Sequence, residues 1–434
     1  MRRIYEDSAY DADVPSYWAT TVAPEHWPEL QGVQKADVAI IGGGFTGLNA
    51  ALTLAQAGVD VAVVEAQSPG WGASGRNGGF CCLGGTKLPE SLMRKRYGDT
   101  GLSEWQHTQK ASIAYVQALL EMHQIDADTH SKGETQVAHS ARAWLAMQDE
   151  AEDTAQSYGV ATHLTQKADL AAEGMGGPWH GALTTRAGFA LNPLKYHTGL
   201  VHLAQQAGIA CYGQSPVLKM DPHYVLHTPK GKLIADTVII ATNGYSSEDL
   251  PAWLRARYLP VQSSVIVTRV LTEKEKAAAG WFTDQMAYDS RQLLHYFRLL
   301  PEGRFLFGMR GGLRATSGAQ ARIKRKIRRD FAKMFPAWRD VDITHDWNGL
   351  VCMMPGLVPF AGAIPGHSGL YAGLGYHGNG VALSSFTGHM IARQVLGDPG
   401  LPDLMRKPPG RFPLGRARRM LLAPAYLAAE TFDL

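Results

Sequence analysis

Ala36-Asp37-Val38-Ala39-Ile40-Ile41-Gly42-Gly43-Gly44-Phe45-Thr46-Gly47 opens as a short apolar, β-branched run and stops at three glycines. That is the pattern of a buried parallel strand. Beyond it, Leu48, Ala51, Leu52 and Ala55 recur at helical spacing until Gly58 ends the helix. Val59 to Glu65 is a second apolar strand. Strand, glycine turn, helix and strand form a βαβ unit of about 30 residues, the length at which such a unit closes.

Within this unit Gly42 to Gly47 satisfies G-x-G-x-x-G, and each glycine has a task that a side chain would obstruct. Gly42 makes the tight turn, Gly44 lets backbone approach a pyrophosphate, and Gly47 admits close helix packing. Phe45 and Thr46 complete the turn, where the helix N-terminus offers unpaired N–H groups to phosphates. A glycine turn alone is only a flexible loop. Here the strand, the helix, the second strand and Glu65 stand where a dinucleotide site requires them. Glu65, followed by Ala66, is placed to accept hydrogen bonds from the adenosine ribose, and its charge repels a 2'-phosphate. The next segment, Gly70-Trp71-Gly72-Ala73-Ser74-Gly75-Arg76-Asn77-Gly78-Gly79, supplies nearly continuous backbone donors with one cation among them. Such a loop suits a long anionic cofactor that continues past the pyrophosphate, which favours FAD over NAD.

The chain alternates element types along its length. Residues 103–124 and 140–157 read as helices, whereas 134–138, 261–271 and 293–300 read as strands of an antiparallel sheet. Asp236 to Ala241, ending in Thr242-Asn243-Gly244, and Gly369 to Leu374 are apolar strands of the first kind. The expected fold is therefore α/β, with a discontinuous Rossmann-like FAD-binding domain and an inserted α+β substrate domain built on an antiparallel sheet. The FAD-binding domain is assigned to residues 35–90, 185–246 and 346–400, and the substrate domain to 91–184 and 247–345. An N-terminal arm (1–34) and a basic C-terminal tail (401–434) complete the chain.

At 434 residues and 45% hydrophobic content, two domains are the natural expectation. A formal net charge of +3 lacks the basic footprint of a nucleic-acid binder and favours a small ligand. Cys81, Cys82, Cys211 and Cys352 are too sparse for a disulfide framework, and Arg2-Arg3 leads into polar sequence instead of an export signal. Cytoplasmic residence follows as the expectation, and no metal site is indicated. Arg416, Arg418 and Arg419 precede Met420-Leu421-Leu422, an order that grazes a membrane surface or, more commonly, packs back on its own domain.

Four further stretches carry a resemblance: Pro15-Ser16-Tyr17-Trp18, Gly72 to Gly79, Asn192-Pro193-Leu194-Lys195-Tyr196, and Gly375-Tyr376-His377-Gly378-Asn379-Gly380. With the fingerprint they span almost the whole chain, which resembles the D-amino-acid-oxidase-type flavoproteins, most closely their gamma-glutamylputrescine oxidoreductase branch. The resemblance implies that Gly42 to Gly47 and Glu65 hold the ADP half of FAD. It implies that Arg76-Asn77-Gly78-Gly79 runs beside the flavin and that the Val217 backbone meets the adenine. Thr242 and the Gly375 to Gly380 turn join the cofactor set. Relatives usually carry histidine at the position of Asn379, so the pattern is displaced here. Independently of any family, this turn feeds a helix whose positive end suits the charge on a reduced flavin.

The strand Leu293 to Leu300 resembles one that roofs the flavin, and alternation sends Tyr296 and Arg298 to one face and His295 and Phe297 to the other. Tyr296, Arg298 and His377 are the candidate catalytic residues, with Arg298 offered as a carboxylate fork. The bland alternatives are an arginine paired within the sheet and a histidine satisfied within its turn. Cys352 lies near where sarcosine-oxidising relatives attach flavin, although a buried structural thiol, and hence non-covalent FAD, is the expectation. The implied activity is oxidation of a primary or secondary amine, gamma-glutamyl-polyamine or amino-acid-like, to an imine that water hydrolyses, with oxygen as acceptor. The rivals are a dehydrogenase passing electrons to a quinone or carrier protein, a flavin hydroxylase, and an accessory flavoprotein acting on a partner protein. The hydroxylase lacks support because no Gly-Asp pair follows Gly369 to Leu374.

Overall fold

The computed structural model describes residues 1–10, 14–398 and 400–433. Its first sheet is built around Gly32–Ile41, whose end Val38-Ala39-Ile40-Ile41 is fully buried. This strand pairs in parallel with Gly231–Ile240 on one side and Val61–Val64 on the other, and its buried end Val38-Ala39-Ile40-Ile41, flanked by strands on both sides, is wholly apolar. Leu370–Leu374 and Ala210–Tyr212 extend the parallel ladder, and Phe360–Ala363 adds an antiparallel edge. Strands far apart in sequence thus end at one rim. Helix Phe45–Gln56 packs against helix Gly380–Val395, and a Cβ at Gly388 would collide with the Thr46 carbonyl. At Gly47 a Cβ would collide with the Gly42 carbonyl, which explains a glycine where the helix leaves the strand.

The second sheet runs in the order Ile343–Met353, Leu259–Val270, Arg304–Arg310, His295–Leu299, Met286–Asp289, Glu134–Val137, Gly181–Thr185 and Thr162–Gln166. All its pairings are antiparallel except Met286–Asp289 with Glu134–Val137. The division drawn at 345/346 falls inside Ile343–Met353, because its pairing with Leu259–Val270, interrupted only by a register shift between Val267 and Thr268, keeps that strand in this sheet to Met353. One face of the sheet buries Phe297, Phe305 and Phe307 against Phe331 and Phe335, with Trp179, Trp281 and Trp338 around them. This aromatic layer fixes the sheet rigidly from behind and leaves the other face for the cavity.

The helix expected at 103–124 is the latter part of Glu90–Met122, which is broken at Gly98 and ends two residues earlier, and the next helix spans Ala141–Tyr158. The C-terminal tail packs back on the body. Arg418 is buried against Glu248 at 2.6 Å and donates to the Tyr258 carbonyl, and Arg419 reaches Glu6 at 2.7 Å. Among the described residues no helix is long and apolar enough to cross a membrane.

Candidate active site

One cavity begins at the C-terminal rim of the first sheet and continues under the open face of the second. The sequence-predicted cofactor residues line it, apart from Gly47, Gly79 and Gly375. Those three serve by letting chains approach. A Cβ at Gly79 would meet the Leu191 carbonyl and Arg298, and one at Gly375 would meet Met354.

At the rim, Glu65 accepts from the Gly43 N–H at 2.9 Å and from the Gln67 N–H at 3.0 Å. Burial raises its carboxyl pKa, and these backbone donors oppose that rise. The Ser74 hydroxyl accepts from the Phe45 N–H at 3.0 Å, bringing the second glycine loop onto the first helix turn. A Cβ at Gly44 would come within 2.8 Å of the same hydroxyl. Asn77 folds the loop on itself, donating to the Ala73 and Ser74 carbonyls and accepting from the Gly79 N–H at 2.8 Å. Arg76 is committed to the Trp71, Val14 and Asn348 carbonyls and holds the loop's shape. The arm secures the loop from outside, with Ser16 donating to the Gly75 carbonyl at 2.7 Å and Trp18 to that of Asn77 at 2.9 Å.

These residues fit a bound dinucleotide. Glycines border a cradle that side chains would fill. The first turn of helix Gly380–Val395 adds its N-terminal end to the wall.

The roof is a row of directly paired residues across the second sheet. Tyr288 pairs with Tyr296, Tyr296 with Gly308, Gly308 with Val265, and Val265 with Trp347. Paired residues share a face, so the two tyrosines lie side by side over the cavity. The Tyr296 ring occupies the space above Gly308 and Gly78, and its hydroxyl lies 3.1 Å from Ser263 Oγ.

Arg298 shares that face but does not line the cavity. It is fully buried, donates to the Gly78 carbonyl at 3.0 Å and the Leu191 carbonyl at 2.7 Å, and contacts His130 Nε2 at 2.9 Å. The expected substrate fork is a structural clamp, since one further step along the strand carries it behind the glycine loop. The arginine that does line the cavity is Arg310, packed against Gly378. Lys87 lines the same region and remains open to it. The charge of Arg310, and then burial, lower the Lys87 ammonium pKa to about 7. Neither has an ion-pair partner among the described residues. Sequence reasoning passed over both, and only Arg310's place two residues beyond Gly308 signals its face.

His377 lines the cavity wall without a free nitrogen. Its Nδ1–H donates to the Gly85 carbonyl at 3.0 Å and its Nε2 accepts from the Met354 N–H at 3.1 Å. Burial lowers its pKa to about 4, which fixes the neutral ring. The catalytic assignment gives way to the turn-satisfied alternative. Asn379 bonds the Leu83 carbonyl at 2.8 Å and the Cys82 sulfur at 3.3 Å, tying the helix N-terminus to the segment below the roof. Cys352 is a buried free thiol pushed up to about 12 by burial.

The sequence pattern of the FAD dependent oxidoreductases, DAO, matches residues 37–394. The chain belongs to this family. It is 31% identical over 405 residues to the probable oxidoreductase OrdL of Rhizobium meliloti, covering 91% of each chain. It is 28% identical over 387 residues to the gamma-glutamylputrescine oxidoreductase of Escherichia coli, covering 88% of this chain and 89% of that one. Its fold matches the glycine oxidase of Geobacillus kaustophilus with a TM-score of 0.68 at 20% identity, over 86% of this chain and 97% of that one. The iminodiacetate oxidase of Chelativorans sp. BNC1 matches with a TM-score of 0.65 at 19% identity, over 83% and 96%. The first sheet is therefore the Rossmann-like FAD-binding fold of an FAD-dependent oxidoreductase, and the cavity at its rim is where that family's cofactor belongs.

Proposed function

We propose that this oxidoreductase acts on a primary or secondary amine that also carries a carboxylate, taking hydride from the carbon beside nitrogen and releasing an imine that water hydrolyses. The supporting observation is Arg310 beside Lys87, two cations without ion-pair partners among the described residues, in a cavity walled by Tyr288 and Tyr296. A guanidinium fork matches a carboxylate bidentately, and Lys87, its pKa lowered to about 7, adds a second positive charge only below neutrality. FAD, when bound, supplies the hydride acceptor. Gly42 to Gly44, Glu65, the Gly72 to Gly78 loop, Val217 and the Tyr376 to Gly380 turn would hold it, without a covalent bond because Cys352 stays a protonated thiol. The tyrosine roof positions the substrate and excludes water from above.

Relatives named for gamma-glutamylputrescine, glycine and iminodiacetate, all amines with a carboxylate, accord with this reading. Oxygen is the proposed final acceptor, in a cytoplasmic enzyme, with a quinone or carrier protein as the alternative acceptor. Anaerobic bleaching of the bound flavin tests the proposal. Gamma-glutamylputrescine, glycine, L-proline or iminodiacetate should bleach it faster than putrescine, which lacks a carboxylate. Equal bleaching by both kinds would remove the anchor from the reading, and no bleaching by any amine would overturn the activity.

A further inference from the structure

Glu134 is a carboxyl buried at the inner end of the substrate side of the cavity, 6% exposed and outside the cavity lining. It stands on Glu134–Val137, which pairs in parallel with Met286–Asp289, and Tyr288 is on the same face of the sheet. Its neighbours are the Tyr288 hydroxyl, the Cys82 thiol and the Leu83 backbone N–H. Tyr158, at the end of helix Ala141–Tyr158, faces it from a third element. None of these is a cation, and no Lys, Arg or His pairs with Glu134 among the described residues. A buried carboxylate without a countercharge is costly unless it exchanges a proton. Tyr288 and Cys82 line the cavity, where they face Arg310, and Lys87 faces Cys82, while Tyr296 stands beside Tyr288 in the roof.

Resting on the reading of the site as an amine oxidase, we infer that Glu134 acts through Tyr288 as the acceptor of the proton that a substrate ammonium must lose before hydride leaves its carbon. The transfer conserves protons. The substrate N–H proton passes to the Tyr288 oxygen as the Tyr288 hydroxyl proton passes to the Glu134 carboxylate. The result is a neutral amine, an unchanged tyrosine and a protonated Glu134. Tyr288 is the group that touches substrate, and Glu134 positions and stores the proton behind it. Arg310 repels the ammonium end, which favours its placement toward Tyr288 while the carboxylate lies on the guanidinium.

Burial raises the Glu134 pKa to about 7, against the neighbouring Tyr288, Cys82 and Leu83 donors, so the carboxylate is available from neutrality upward. Without an acceptor, only amine already neutral in solution is competent, and that fraction grows until about pH 10.

The test is stopped-flow anaerobic flavin reduction by subsaturating gamma-glutamylputrescine, glycine, L-proline and iminodiacetate, using the FAD-loaded enzyme between pH 6 and 10. The wild type should show its acid limb near neutrality. Glu134→Gln, which preserves size and polarity, should lose at least tenfold at pH 8, and the loss should shrink toward pH 10 as the limb moves to the amine's own value. Tyr288→Phe should show the same displaced limb, and the double variant should lose no more than either single one. A purely structural role would lower the rate by one factor at every pH, with flavin content falling in step. An unmoved acid limb in Glu134→Gln, with the wild type still bleached, overturns this inference and leaves the amine-oxidase reading standing. No bleaching of the wild type by any of the amines overturns both.

Discussion

The Arg298 guanidinium donates at 2.7 Å to the carbonyl of Leu191, which precedes Asn192 at the N-terminus of helix Pro193–Gln206. A second donation to Gly78 and the contact with His130 use the remaining edge of the fork. Arg298→Ala should therefore destabilise the fold, leaving two buried carbonyls without donors at a cost of about 1–3 kcal/mol each. Bound flavin and activity should fall together and equally for substrates with and without a carboxylate. A urea midpoint matching the wild type, with loss confined to carboxylate substrates, would restore Arg298 as the anchor.

Arg310 makes the opposite prediction. Arg310→Lys should weaken turnover of carboxylate-bearing amines, because one ammonium cannot reproduce two parallel hydrogen bonds. Arg310→Ala should cost about 2–5 kcal/mol in transition-state binding if the pair is desolvated. Flavin content, read from absorbance, should stay that of the wild type, and putrescine should be affected far less. A uniform loss across substrates would show that Arg310 only supports the Gly378 turn.

The contrast between these two arginines shows what the sequence makes legible. The fingerprint, its helix and Glu65 are local, so spacing alone placed them at one rim. Period-two alternation also assigned Tyr296, Arg298 and Phe297 to the correct faces. Alternation says nothing of how far along a strand the ligand sits, so it cannot separate Arg298 from Arg310, which shares its face two strand positions past Gly308. His377 depended on partners from Gly85 and Met354, and Glu134 on pairing with the distant strand Met286–Asp289. Neither had any local signal. Lys87, in a glycine-flanked loop, had none either.

Behind the roof, His295 lies 2.9 Å from Asp289 and 3.5 Å from Asp330, with Arg291 and Lys326 completing the network. Burial opposes the imidazolium, but the two carboxylates outweigh it and raise the His295 pKa. The stabilisation from this group is therefore complete below its unfolded value of about 6.5 and is lost as pH rises through the folded value. Burial likewise raises Asp289 and Asp330, His295 outweighs it, and their lowered values give stability present above about 3.9 and lost on further acidification. His295→Gln should accordingly lower the urea midpoint most between about pH 4 and 6.5, and less at pH 9. An equal loss at pH 6 and pH 9 would mean that packing, not charge, is what His295 contributes.

Two glycines on either end of the first helix separate collision from strain. A Cβ at Gly47 would run into the Gly42 carbonyl and lie 3.2 Å from Ile40 Cγ2, so rigid backbone in the central strand would have to move. At Gly58, with φ at +78°, a Cβ meets nothing within 4 Å. There the only penalty is the left-handed backbone, about 1–2 kcal/mol. Gly47→Ala should thus abolish FAD binding by prising the helix off the strand whose turn is proposed to receive the pyrophosphate. Gly58→Ala should keep full flavin content with a modestly lower melting temperature. Flavin absorbance per protein, measured beside thermal unfolding for both variants, makes the comparison. Stoichiometric FAD in Gly47→Ala would show that the helix tolerates displacement from the strand, and that close packing at this turn is not what the cofactor site requires.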